Sequence, residues 1–172
     1  MQTFLPDPDF TKTAEVLDYR RLGKQRVEAI QIVKALDVGL PKSGWANHPA
    51  VKMWWGYPFA LIEYGTAMCT EWIKRGYKDK MHPDFFDRWQ NGRFDHFGDI
   101  DLKFGHSTRP PWLGDPEFHM SHQSNLIRKM PEHYGPLFPG VPDNLPYIWP
   151  VTIDTRPSAD KSRRDGWRTA SA

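Results

Sequence analysis

Proline placement limits this chain to a few segments that can be helical, and this constrains the fold more than any other feature. The 172 residues include 16 prolines. Pro6 and Pro8 hold the first residues extended, since proline fixes φ and restricts its predecessor. The first segment able to form a helix then opens at Asp9 or Thr11, both good caps. It runs to about Asp37 and closes at Gly39 and Pro41. Gly23 is its weak point. A second helix opens at Asn47-His48-Pro49, with Asn47 as cap. Gly56-Tyr57-Pro58 splits or kinks it, and it resumes to a stop at Gly76. A third is announced by Asp115-Pro116 and carries EFHMSHQSNLIRK. Pro131, Pro136, Pro139, Pro142, Pro146 and Pro150 then impose a non-helical wrap. Residues 77–115 show no sustained period and read as irregular or short elements.

The expected fold is mainly α, a compact bundle of about three main helices with long irregular connections and a Pro-rich C-terminal wrap. Residues 1–153 form one helical domain, and 154–172 a flexible basic tail. At about 100° per residue, Leu22, Ala29, Ile30, Val33 and Leu36 line one stripe of the first helix. Arg20, Arg21, Lys24, Glu28 and Gln31 fall on its polar side. Arg26 projects into the apolar stripe, where a charge needs a carboxylate, a substrate phosphate or a snorkelling exit. In the second helix Phe59, Ile62, Met68, Trp72 and Ile73 are expected in the core.

A single cysteine, Cys69, excludes an internal disulfide framework and cysteine zinc sites, and fits a reducing compartment. No apolar run approaches the roughly 18 residues of a membrane span, and MQTFLPDPDF lacks the order of a signal peptide. A cytoplasmic, monomeric protein is the expectation. The net charge of +2 is carried entirely by residues 151–172, and residues 1–150 balance. An anionic partner must therefore meet a local cluster rather than a global field. Arg20, Arg21, Lys24 and Arg26 form such a cluster, with Glu28 one turn beyond Lys24. That carboxylate is either a helix salt bridge or a general acid/base beside phosphate-binding cations. His119 and His122 share a helix face but lack a third ligand, so neither a metal nor a cofactor is expected. They are read as anion contacts, caps or buried histidines. His48, His106, Arg109, Arg128 and Lys129 complete the candidate nucleic-acid-binding set. The polar segment His106–Trp112 reads either as a site or as an ordinary loop.

Three segments carry a resemblance: LDYRRLGKQRVEAIQIVKAL, NHPAVKMWWGYPFALIEYGTAMCTEWIKRGY and SHQSNLIRKMPEHYG. Their order resembles the pyrimidine dimer DNA glycosylase family, the phage-type endonuclease V. The opening MQTFLP and RLGKQRVEA look like a bacterial and phage branch. The resemblance implies a helical DNA repair enzyme acting on duplex DNA. In it an N-terminal α-amine attacks the sugar C1′ of a damaged pyrimidine, a glutamate on the first helix assists, and β-elimination nicks the strand. The chain departs from that pattern at two places. Arg21 stands where the family has its glutamate. Gln2, too bulky to favour Met removal, leaves Met1 to supply the amine. Met1 and Glu28 are then the catalytic candidates, although Glu28 lies two turns, roughly 10 Å, beyond position 21. Alternatives are a non-catalytic DNA-binding module and an enzyme acting on another nucleotide or glycosidic substrate.

Overall fold

The computed structural model describes residues 1–37, 44, 45, 47–94, 109–152 and 167–171. The chain is mainly helical. Helices α1 (Phe10–Val16), α2 (Tyr19–Leu36), α3 (Pro49–Met53), α4 (Pro58–Lys74), α5 (His82–Asn91), α6 (Pro116–Lys129) and α7 (Pro131–Tyr134) follow in order. Strand β1 (Ile148–Thr152) pairs antiparallel with β2 (Trp167–Ser171), Trp149 opposite Ala170. Residues 153–166, most of the segment expected as a tail, lie outside the described residues.

The expected first helix is two helices. Asp9 caps α1, accepting from the Thr11 and Lys12 amides, and Asp18 caps α2, accepting from those of Arg20 and Arg21. A capping carboxylate satisfies amides that otherwise lack partners, which makes Asp18 a competent start even without a preceding Pro or Gly. The Tyr134 hydroxyl fixes this junction, accepting from the Asp18 amide at 3.0 Å and donating to its carboxylate at 2.6 Å. Helix α2 continues through Gly23, where Trp72 packs against the backbone. His48, rather than Asn47, caps α3. The split at Tyr57-Pro58 and the Asp115-Pro116 start are as expected. In the stretch 77–115, expected as irregular or short elements, α5 forms over ten residues.

The α2 stripe Leu22, Ala29, Ile30, Val33 and Leu36 is buried, mainly against α4. A buried leucine or isoleucine contributes about 1.5–3 kcal/mol, so this stripe outweighs the weak helix propensity of Gly23. Ile62 and Met68 enter the core as expected, while Ile73 is exposed. Trp112 departs from the reading of its polar segment as a site or an ordinary loop. It is fully buried, packs edge-on against Trp54, and donates its indole N–H to the Met53 carbonyl at 3.2 Å. The indole needs only that one acceptor to be buried, so polar neighbours in sequence do not keep it out.

Candidate active site

The first six residues run extended through the interior, and side chains from distant helices satisfy their backbone. Gln25 of α2 accepts from the Phe4 amide at 2.8 Å, and the Tyr64 hydroxyl reaches the Phe4 carbonyl at 3.0 Å. On α6, His122 Nδ1 accepts from the Leu5 amide at 3.0 Å, and His119 Nδ1 donates to the Leu5 carbonyl at 2.7 Å. Gln123 donates to the Pro6 carbonyl at 2.7 Å. Trp54 Nε1 donates to Thr3 Oγ1 at 3.0 Å, and the Tyr147 hydroxyl donates to the Thr3 carbonyl at 3.4 Å. A buried extended segment cannot leave its peptide groups unpaired, and here helices supply the partners that a sheet would otherwise provide.

This clamp delivers the α-amine of Met1 to Glu28. The amine lies 3.9 Å from Glu28 Oε1, and the Gln2 amide donates to Oε2 at 3.3 Å. Gln25 Nε2 also donates to Oε2, at 3.1 Å, and Lys24 Nζ lies 3.6 Å from Oε1. Glu28 is 7% exposed, so it does not sit on the solvated side of α2 as expected. The carboxylate is held by four nitrogens, which explains why it tolerates burial. The 10 Å offset from position 21 does not separate it from the amine, because the N-terminal segment enters over the third turn of α2.

Met1 and Glu28 open onto a cleft of about 790 Å³, together with Arg20, Arg21, Lys24, Lys129, Tyr19 and Trp149. The Arg21 guanidinium binds Asp18 and lies over the Tyr134 ring at 5.5 Å. Burial alone would raise the Asp18 pKa, but hydrogen bonds from Tyr134 and Arg21 outweigh it and hold the carboxyl below its ordinary range. Arg20 and Lys24 present exposed heads at the rim, and Lys129 reaches over the Phe4 ring. His48 also feels this site. Burial lowers its pKa first and the N-terminal charge lowers it further, against the pull of Glu28.

Residues 1–84 match the family model of the pyrimidine dimer DNA glycosylases. Over that stretch the chain resembles this glycosylase family. The matched residues include Met1, Arg20, Arg21, Lys24 and Glu28, and so most of the cleft. Lys129, Trp149 and the segment SHQSNLIRKMPEHYG lie outside the match. Comparison with curated proteins and with solved structures finds no match.

Other sequence candidates are placed away from the cleft or used within the fold. Arg26 pairs with Asp79 and lies over the Trp72 ring at 4.1 Å, so a carboxylate meets its charge. Arg109 pairs with Glu63 at 2.9 Å and covers Phe10. Arg128 donates to the carbonyls of Asp143 and Leu145, tying down the proline-rich wrap. His106 lies outside the described residues. His119 and His122 each use Nδ1 on the Leu5 backbone, His119 Nε2 accepts from the Gly114 amide at 2.9 Å, and His122 Nε2 is buried without a hydrogen-bond partner among the described residues. Among the described residues, no cluster of three or more His, Cys, Asp or Glu is suited to a metal, and no helix is long and apolar enough to cross a membrane.

Sequence reading missed Gln25, Tyr64, Tyr147 and Trp149. Gln25 carried a signal. It lies three residues after Leu22 and four before Ala29, inside the apolar stripe, where an amide must find buried partners.

The two α6 histidines make stability depend on pH. Burial depresses both pKa values, that of His122 well below the ordinary range. Folding therefore holds them neutral, while the unfolded chain takes up protons as pH falls below about 6.5. Their contribution is complete above that value and declines below it, by up to about 1.4 kcal/mol per pH unit for each group. Urea midpoints should fall from pH 7 to 5 with an unchanged denaturant slope. A His122→Gln variant should flatten this dependence, and equal pH profiles for both proteins would contradict it.

Proposed function

We propose that the chain is a DNA glycosylase with abasic-site lyase activity, using the Met1 α-amine as nucleophile and Glu28 as proton carrier. The observation that carries this reading is the amine 3.9 Å from a buried carboxylate at the floor of a cation-rimmed cleft. The family match over residues 1–84 supports it. In this chemistry the neutral amine attacks C1′, the C1′–base bond breaks, and the base leaves with the bonding electrons and takes a proton from water. Glu28 accepts the proton lost by the amine and returns it to the ring oxygen as the sugar opens to an imine. Loss of a C2′ proton then expels the 3′ phosphate, and water releases the amine. The Met1 amine ends a segment held in the interior against Glu28, whereas Lys24 presents an exposed head at the rim, which favours Met1 over Lys24 as nucleophile. Arg20, Arg21, Lys24 and Lys129 supply phosphate contacts on a duplex opened at the lesion.

The test is strand scission of a duplex bearing one abasic site. The expected product has a 5′ phosphate on one side and an unsaturated aldehyde on the other. An intact duplex, or a 3′ hydroxyl end, overturns the reading. Binding adds a second check, since each phosphate contact contributes about 0.9 to the log–log salt slope. Arg20→Ala with Lys24→Ala should lower that slope by about 1.8 on every duplex alike. An unchanged slope would reduce these side chains to a solvated face.

A further inference from the structure

We propose that Trp149 is the base-recognition wall of the cleft, stacking on a nucleobase taken out of the duplex. This rests on the reading of the cleft as a glycosylase and lyase site. Phosphate-binding cations and an amine–carboxylate pair act on backbone and sugar, and none of them recognises a base. Trp149 is the indole lining that cleft, placed there by β1 rather than by the helices that carry the charges. Its position is fixed through its neighbours. Tyr147, two residues earlier, donates to the Thr3 carbonyl and is tilted 60° to the indole at a centroid distance of 4.8 Å. His48 meets it edge-on at 6.2 Å. Among the described residues no ring lies parallel to Trp149, and the side chain is half-buried, so its aromatic surface is not consumed by a stacked partner. An indole held this way in the cleft that also holds the amine offers a base a π surface, and stacking of this kind tolerates any base identity. The wall would hold the extruded base while its C1′ is presented to Met1.

The experiment uses the full chain and two duplexes that differ at one position. One carries an extrahelical thymidine, the other a tetrahydrofuran residue that lacks a base. The native protein should prefer the thymidine duplex by about tenfold or more, the range of one base–aromatic stack. Trp149→Ala should erase most of that preference, and Trp149→Phe should restore it. Because the preference is a ratio, a general loss of folded protein does not imitate the result. Equal preference in native protein and Trp149→Ala, or no preference in the native protein, overturns the assignment. Scission of the abasic duplex by native protein is measured alongside. Scission without base preference removes Trp149 and leaves the lyase reading standing, whereas absence of scission removes the lyase reading and this proposal with it.

Discussion

Glu28→Gln should lower scission of an abasic duplex by about 10²–10⁴-fold, the usual contribution of a positioned proton carrier. The amide is nearly isosteric and keeps an oxygen able to accept from the Gln2 amide or Gln25 Nε2. The N-terminal clamp at Thr3, Phe4 and Leu5 involves other side chains and should survive. Activity should therefore fall far more than stability. The informative comparison pairs single-turnover rates with urea midpoints. A rate within a few fold of native would leave Glu28 as a structural partner of Lys24 and the N-terminus.

The second large effect concerns stability. Asp79→Ala should destabilise the chain by about 3–5 kcal/mol, because it strands a charge that the fold has enclosed. The Arg26 side chain is 11% exposed, its Nε has no hydrogen-bond partner, and Asp79 is its ion-pair partner. The same carboxylate accepts from the amides of Met81 and His82 at the start of α5, so its loss also frees a helix terminus. Arg26→Met should cost less, since the Asp79 carboxylate it leaves unpaired still accepts from the Met81 and His82 amides and a flexible apolar side chain fills the space against Trp72. Denaturant titration of the two variants makes the comparison. Equal, small losses would mean that the pair is solvated and that burial does not set its energy.

The outline of the bundle was legible because local chemistry decides it. Asp9 and the Asp115-Pro116 pair announce helix starts, Pro58 forces a break, and the 3.6-residue period fixes the buried stripe of α2. The break at Asp18 was not legible. Its stability comes partly from Tyr134, which lies 116 residues away in sequence. The same holds for the site. Met1 becomes a candidate only through the family resemblance and Glu28 through its place in the basic cluster, and helix geometry alone sets Glu28 two turns from position 21. The path of the N-terminal segment over α2 closes that gap, and this path depends on residues of α2, α4 and α6 together. For His119 and His122 the sequence leaves anion contact, capping and burial open, because their partner, the Leu5 backbone, has no signature in sequence; the structure buries both. Arg26 shows the converse, since periodicity flagged a charge in an apolar stripe and the carboxylate it required was found.

Borohydride trapping on an abasic duplex tests whether the Met1 amine is the group that attacks the sugar. Reduction of the imine should give a covalent protein–DNA adduct, and peptide mapping should place the attachment on Met1. A form extended at the N-terminus should give none, because its α-amine is carried away from Glu28. Attachment at Lys24 or Lys129, or undiminished trapping by the extended form, would rule out Met1 as the nucleophile.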